Sequence, residues 1–317
     1  MKITTDLTGT ESAATRHARI KAIYDWYFGT GAYVAAGNLG VAREALNGLL
    51  TSDIANGETF ASWLVKMNSL NDLDTFIPSI IFAGGHKGIV IDPEVLSSMS
   101  QDTAGATPVT AAGQSVGRIL DRSGNAMHPV QATSAARPTY QVDGSSRPVL
   151  RFDGVDDRLA TPSITWGTDA VTLVASLSLT PTGIQSVIAT GGGTLSQTGF
   201  LLSKLSTDRI RARSSGTAVA LADSVASVSG AEVCAMQGDI STPLVLLRRN
   251  GAQVSSNSAT QGTGTFAASE FQIGSLSGSQ FLSGDIYGLL AVNRILTTQE
   301  LRWVEKWLAL KNGVTIA

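Results

Sequence analysis

The chain has 317 residues, 43% of them hydrophobic and only 15% charged, with one cysteine and a net charge of −2. Low charge with ample apolar residues excludes a disordered chain, and the near-neutral balance excludes a dedicated nucleic-acid binder. One cysteine, Cys234, excludes an intrachain disulfide framework and a Cys-rich zinc site.

Residues 1–78 read as a small helical unit. Ile20, Ile23, Tyr24, Tyr27 and Phe28 recur at the spacing of one helical face, with Thr10 upstream as a cap and Gly29 to Gly31 as the stop. A second helix is expected over Val41–Leu50 and a third over Glu58–Leu70, the latter with Phe60, Trp63, Leu64 and Met67 on its face. Pro78 is expected to end the unit. Residues 79–148 are rich in Gly, Ala, Ser, Thr and Pro, with one short strand, Gly88 to Asp92, among turn signals. They read as a connecting segment that partly belongs to the β-rich region after it.

Residues 149–317 form that β-rich region. Strands are expected at Leu150–Phe152, Val171–Leu179, Gln185–Thr190, Gly199–Ser203, Arg209–Ser214, Ala231–Gly238, Leu244–Arg249, Gln253–Ser256, Glu270–Ile273 and Gly284–Val292. They are short, bounded by Gly, Ser, Thr, Asp or Pro, and do not alternate with helices, which is the pattern of an antiparallel sandwich or barrel. Asn250-Gly251 between two of them suits a type I′ hairpin, because both residues tolerate positive φ. Thr297-Thr298-Gln299-Glu300 has the form of a capping box and opens a terminal helix, with Lys306 and Lys311 suiting its C-terminal dipole and Gly313 its end.

Four stretches resemble bacteriophage and prophage structural proteins: Gly88–Thr110 (G-I-V-I-D-P-E-V-L-S-S-M-S-Q-D-T-A-G-A-T-P-V-T), Asp121–Asn125 (D-R-S-G-N), Gln131–Pro138 (Q-A-T-S-A-A-R-P) and Leu150–Ala160 (L-R-F-D-G-V-D-D-R-L-A). The resemblance runs from Gly88 to Gly313, about seven tenths of the chain. It implies a mainly β fold: a concanavalin A-like (laminin G-like) jelly-roll sandwich, here preceded by the helical unit and closed by the terminal helix. It also implies a non-enzymatic virion component made in the host bacterial cytoplasm, at the tail tip, baseplate or fibre. A head fibre or capsid decoration protein is the near alternative, a lectin-like carbohydrate-binding module the second, and a glycan hydrolase the third. The expected partners are other virion proteins, a host-surface glycan and further copies of the chain, since such components occur in symmetric multiples. Neither nucleic acid nor membrane insertion is expected: the net charge of −2 speaks against the first, and against the second no run of 18 apolar residues offers a spanning helix and Met1 to Glu11 holds no apolar leader segment.

The residues argue against catalysis. Glycoside hydrolysis needs a pair of carboxylates. Beyond residue 150 the glutamates are Glu232, Glu270, Glu300 and Glu305, and none forms the E-x-D-x-x-E pattern of the retaining glucanases of this fold. The three histidines have no partner at metal spacing. Gly84 to Gly88 lacks the order of a phosphate loop, and Gly191 to Gly193 precedes no helix. No catalytic residue and no resident cofactor are therefore expected. Four groups remain as contact candidates. Asp153, Asp156 and Asp157 are the densest acids and a candidate calcium site, against a simpler reading as a turn that caps its own amides. Trp166, in I-T-W-G-T-D, is the candidate loop aromatic for a glycan. Arg209, Arg211 and Arg213 alternate along one strand, so they share a face, which is expected to be solvated or to meet an acidic partner or anionic glycan. Tyr24, Trp26, Tyr27 and Phe28 are either the core of the helical unit or its assembly interface.

Overall fold

The computed structural model describes residues 1–8, 10–29, 32, 60–180, 183–190, 199–225 and 230–316. The chain divides into two compact units, Met1–Ile80 and Ile81–Ala317. The helix expected over Val41–Leu50, Tyr33 and the Gly191 to Gly193 loop lie outside the described residues.

The first unit contains α1 (Ala13–Phe28), α2 (Phe60–Asn71) and α3 (Leu73–Ile81). The cap of α1 is Ser12 rather than Thr10: it directly precedes the first helical residue, and its Oγ accepts from Thr15 N–H at 3.2 Å. Gly29, with φ of 110°, ends the helix as expected. Pro78 does not end the unit. It lies inside α3, which continues to Ile81. Ile23, Tyr27, Met67, Leu70, Leu73 and Ile77 are fully buried and form the core of this unit. Tyr27 is held twice, by an O–H donated to Leu70 O at 2.7 Å and by an edge-on ring contact with Phe76.

The second unit is a β-sandwich in which every described strand pair is antiparallel. The larger sheet is built on β7 (Ala170–Leu179) and β16 (Ser283–Val292). Next to β7 come β12 (Ala231–Asp239), β13 (Leu244–Arg249) and β14 (Ala252–Asn257). The far edge of β16 is shared: Ser283–Ile286 pair with β5 (Pro148–Asp153), and Leu289–Val292 pair with β1 (Gly88–Ile91). Beyond β5 lies β4 (Thr139–Val142). The smaller sheet runs β11 (Val219–Asp223), β10 (Ile210–Ser215), β9 (Gly199–Lys204), β8 (Gln185–Thr190), β15 (Phe271–Ile273), β6 (Leu159–Ala160). A two-stranded ribbon, β2 (Met99–Ser100) with β3 (Arg118–Ile119), lies in the segment between β1 and β4. The jelly-roll-like sandwich and both flanking helical parts thus match the expected fold class.

Alternation places Phe152, Leu173, Leu177 and Met236 of the larger sheet and Phe200, Ile210 and Phe271 of the smaller one in a single core between the sheets. The opposite face of the larger sheet is equally dry. Val174, Ala235 and Leu290 are cross-strand neighbours there with no exposed surface. They lie under α4 (Thr298–Asn312), which packs on β7, β12 and β16. The helix begins with the expected capping box between Thr297 and Glu300 and ends at Gly313 in the left-handed region. Gly288 of β16 permits the close approach: a Cβ there would lie 2.8 Å from Leu308 Cδ2 and 3.0 Å from Lys311 Cδ. The Asn250-Gly251 hairpin also forms as expected, with φ of 49° and 80°. It is locked because Asn250 Oδ1 accepts from Val233 N–H at 2.8 Å.

Lys311 has a larger role than a dipole partner. Its Nζ, fully buried, lies 3.0 Å from Asp92 Oδ1 and 2.9 Å from Glu94 Oε2. This joins the end of the chain to the residues just after β1. Removing one member of a buried pair strands the other, at a cost of about 3–5 kcal/mol. Lys311→Ala should therefore lower the sandwich's unfolding free energy in urea by that order. Adding Asp92→Asn to Lys311→Met should recover part of the loss, which a double-mutant cycle on urea midpoints would read.

Candidate functional site

The resembled motifs prove to be loop-closing devices. In D-R-S-G-N, the Asp121 carboxylate accepts from Val90 N–H (2.9 Å), Ser123 N–H (2.8 Å), Ser123 Oγ–H (2.7 Å) and Met127 N–H (3.0 Å). The loop is thereby pinned to β1. In D-T-A-G-A-T, Asp102 accepts from the amides of Gly105, Ala106 and Thr107; its hydrogen bond with the Thr107 side chain first, and these amides after it, hold its carboxyl far below the usual carboxylate range. Both carboxylates are committed to main-chain amides.

The Asp153–Asp157 cluster has the same character. Carboxylate oxygens of Asp153, Asp156 and Asp157 lie within 4.8 Å of one another. Asp153 Oδ1 accepts from Val155 N–H (2.8 Å) and Asp156 N–H (3.4 Å), and Asp157 Oδ2 accepts from Asp153 N–H (3.0 Å). These are the contacts of a turn that caps its own amides. Asp157 is pushed up to about 6, first by burial and further by the charges of Asp153 and Asp156, against the pull of the Asp153 amide.

Trp166 is a correction. It is not a loop aromatic open to a sugar: it is 2% exposed, packs edge-on against Phe271, and donates Nε1–H to Ala170 O at 2.9 Å. The turn residues around it lead into β7, and the indole fills the end of the core. Tyr24 and Tyr27 are likewise buried in the helical unit, so they are unavailable to an assembly partner, whereas Trp26 and Phe28 are half-buried.

The three arginines separate. Arg209 is exposed and precedes β10 rather than lying on it. Arg211 forms a bidentate pair with Asp223 of β11, at 2.7 and 2.6 Å. Arg213 breaks the expectation of a solvated row, because it is only 8% exposed. Its Nη2 is buried with no hydrogen-bond partner among the described residues, and burial lowers its guanidinium from the ordinary value. Arg213 lines a cleft of about 280 Å³ on the outer face of the smaller sheet. The strand register builds the floor as one row, Leu201–Arg213–Leu221, with Ser203–Arg211–Asp223 as the next. Ile184, Leu205 and Val219 make the walls mainly aliphatic, and Gln280 joins Ser203 as a neutral polar group. Sequence reading missed β11 and with it Leu221 and Val219. The signal available was the alternation of Leu201 with Ser203 against that of Arg211 with Arg213.

A broader hollow, about 500 Å³, is lined by Gln131, Arg158, Glu270 and Gln272 among others. Two of its polar side chains are engaged within it: Gln272 Nε2–H donates to Glu270 Oε1 at 2.6 Å, and Gln131 Nε2–H to the Arg158 carbonyl at 3.3 Å. The other three glutamates beyond residue 150 are also paired, Glu232 with Arg249, Glu305 with Arg248 and Glu300 with Arg294. Burial against Glu232 pushes the Cys234 thiol far up, so it remains a buried apolar residue.

No family model matches the chain, and no curated protein does. Among solved structures it is similar to the CBM40 module of the Ruminococcus gnavus IT-sialidase bound to alpha2,3 sialyllactose. That match has 19% identity over 44% of this chain and 83% of that one, with a TM-score of 0.37. It is also similar to the binding domain of botulinum neurotoxin DC in complex with SialylT, at 8% identity over 60% of this chain and 48% of that one, TM-score 0.46. The Trypanosoma rangeli sialidase in complex with the inhibitor DANA matches at 15% identity over 68% of this chain and 36% of that one, TM-score 0.45. The chain thus spans under half of the toxin domain and about a third of the sialidase. Likeness at this distance transfers neither ligand nor activity.

Two outcomes test these placements. Trp166→Ala should destabilise the sandwich by about 3–5 kcal/mol, as large-to-small aromatic changes in cores do; a melt close to wild type would place the indole outside the core. For Asp157, the folded chain keeps its proton to higher pH than the unfolded chain, so stability falls as pH rises from about 4 to about 6. Asp157→Asn should flatten the melting-temperature profile across that window and melt above wild type at pH 7.

Proposed function

We propose that the chain is a non-enzymatic, glycan-binding component of a bacteriophage particle. The observation that carries the binding half is the cleft on the outer face of β8 to β11, lined by Arg213, whose buried Nη2 has no hydrogen-bond partner among the described residues. Small-ligand clefts combine apolar walls with a few placed polar groups. At about 280 Å³ this one has room for a sugar residue rather than a long chain segment. The non-enzymatic half is supported by the employment of the glutamates beyond residue 150 in arginine pairs or, for Glu270, a glutamine contact. The particle context rests on the motif resemblance over Gly88–Gly313. In this reading the unit Met1–Ile80 attaches to other particle proteins and the sandwich faces outward, at the tail in preference to a head fibre or decoration position.

A glycan array probed with the full chain, with and without calcium, should give hits. Leu221→Trp, a half-exposed position that fills the cleft, should abolish them while leaving the far-ultraviolet circular dichroism unchanged. An array without hits under either condition would remove the binding half. Mass spectrometry of purified particles should find the chain, and its absence would remove the particle half.

A further inference from the structure

We infer that the cleft selects sugars that carry a carboxylate, with Arg213 as the residue that receives it; this rests on the proposed glycan binding. A guanidinium is costly to bury without a counter-charge, because desolvation opposes the charged form. The other fully buried cations among the described residues follow that rule. Lys311 has Asp92 and Glu94, and Lys204 has Asp208 at 2.8 Å. Arg213 is the exception. It is more than nine-tenths buried and in no ion pair among the described residues, while its neighbour Arg211 has taken Asp223.

The rest of the cleft fits the same ligand. The side chains that flank Arg213 in its register row, Leu201 and Leu221, are aliphatic and cannot compete for the guanidinium. They also exclude water from it, which strengthens a charge-assisted hydrogen bond. The planar N–H fork matches a carboxylate in geometry as well as sign, which a neutral hydroxyl does not. Ser203 and Gln280 stand at the cleft as partners for the hydroxyls of the same sugar. Arg211, already in a bidentate pair, is a wall rather than a receptor. The fold has left an uncompensated charge at the floor of its open sheet face, and the ligand supplies the missing counter-ion.

The test compares acidic glycans, uronic acids and other sugar acids, with their methyl esters on one array, using the full chain, Arg213→Gln and Arg213→Lys. The methyl ester removes the negative charge and leaves the rest of the sugar in place. Wild type should bind the acids and lose about 10- to 100-fold on the esters, the worth of one charge-assisted hydrogen bond. Arg213→Gln should lose the acids to the same degree, and Arg213→Lys should retain part of the binding. Because Arg213→Gln removes an unpaired buried charge, it should melt at or above the wild-type temperature, so lost binding is not lost folding. Esters bound as well as acids, sulfated glycans bound in place of carboxylated ones, or Arg213→Gln unaltered toward the acids would each overturn the inference while the glycan reading stands. Silence toward acidic and neutral glycans alike would overturn both.

Discussion

The sandwich depends on one arrangement of buried charge, Lys311 between Asp92 and Glu94. The Lys311–Asp92 pair joins residues 219 apart in sequence. It fixes the last turn of α4 over the larger sheet, where Gly288 leaves space for the helix. Once that helix is seated, the larger sheet has no free face there: Val174, Ala235 and Leu290 lie under it as dry as the core on the other side. The smaller sheet has no described helix over it. Its outer face is the one where a ligand can meet strand side chains directly, and that is where the cleft lies. The location of the cleft is thus set by which sheet receives the helix.

Charge elsewhere in the sandwich follows a single economy. With 15% charged residues, few carboxylates exist, and those described are mostly committed. Asp102, Asp121 and Asp153 hold backbone amides, and Glu232, Glu300 and Glu305 hold arginines. The motif residues that carry the resemblance to phage structural proteins belong to the first group. Their chemistry in this chain is that of loop closure. Arg213 is prominent because it stands outside this pattern of pairing.

Much of the fold was legible because short strands bounded by Gly, Ser and Thr leave little ambiguity. Gln185–Thr190 and Leu244–Arg249 have the expected limits, and the Thr297 box and Asn250-Gly251 turn form as the residues dictate. The elements that escaped are physically coherent. The strand Val219–Asp223 is V-A-L-A-D, in which small alanines give little β-branched character; it is a strand because it pairs with Arg211 to Ser215 of its neighbour. Thr139–Val142 was hidden in a segment without periodicity. The site was half legible. Alternation put Arg211 and Arg213 on one face, but the expectation of a solvated row failed: Asp223, from the unrecognised strand, pairs with the half-buried Arg211, while Arg213 is buried without a counter-charge among the described residues. Trp166 misled for the opposite reason: flanking turn residues signal exposure of the backbone, whereas the indole turns inward and satisfies its N–H on Ala170.

The divided edge of β16 governs when the sandwich can form. β1 pairs with Leu289–Val292, about 200 residues further along the chain, an interval of roughly 10–40 s of ribosomal synthesis. Throughout that time Gly88–Ile91, wholly buried in the finished fold, is an apolar strand with unpaired amides, and pairing so distant is intrinsically slow. A sandwich built this way cannot close until β16 has been made, and its earliest strand must be kept from foreign edges until then.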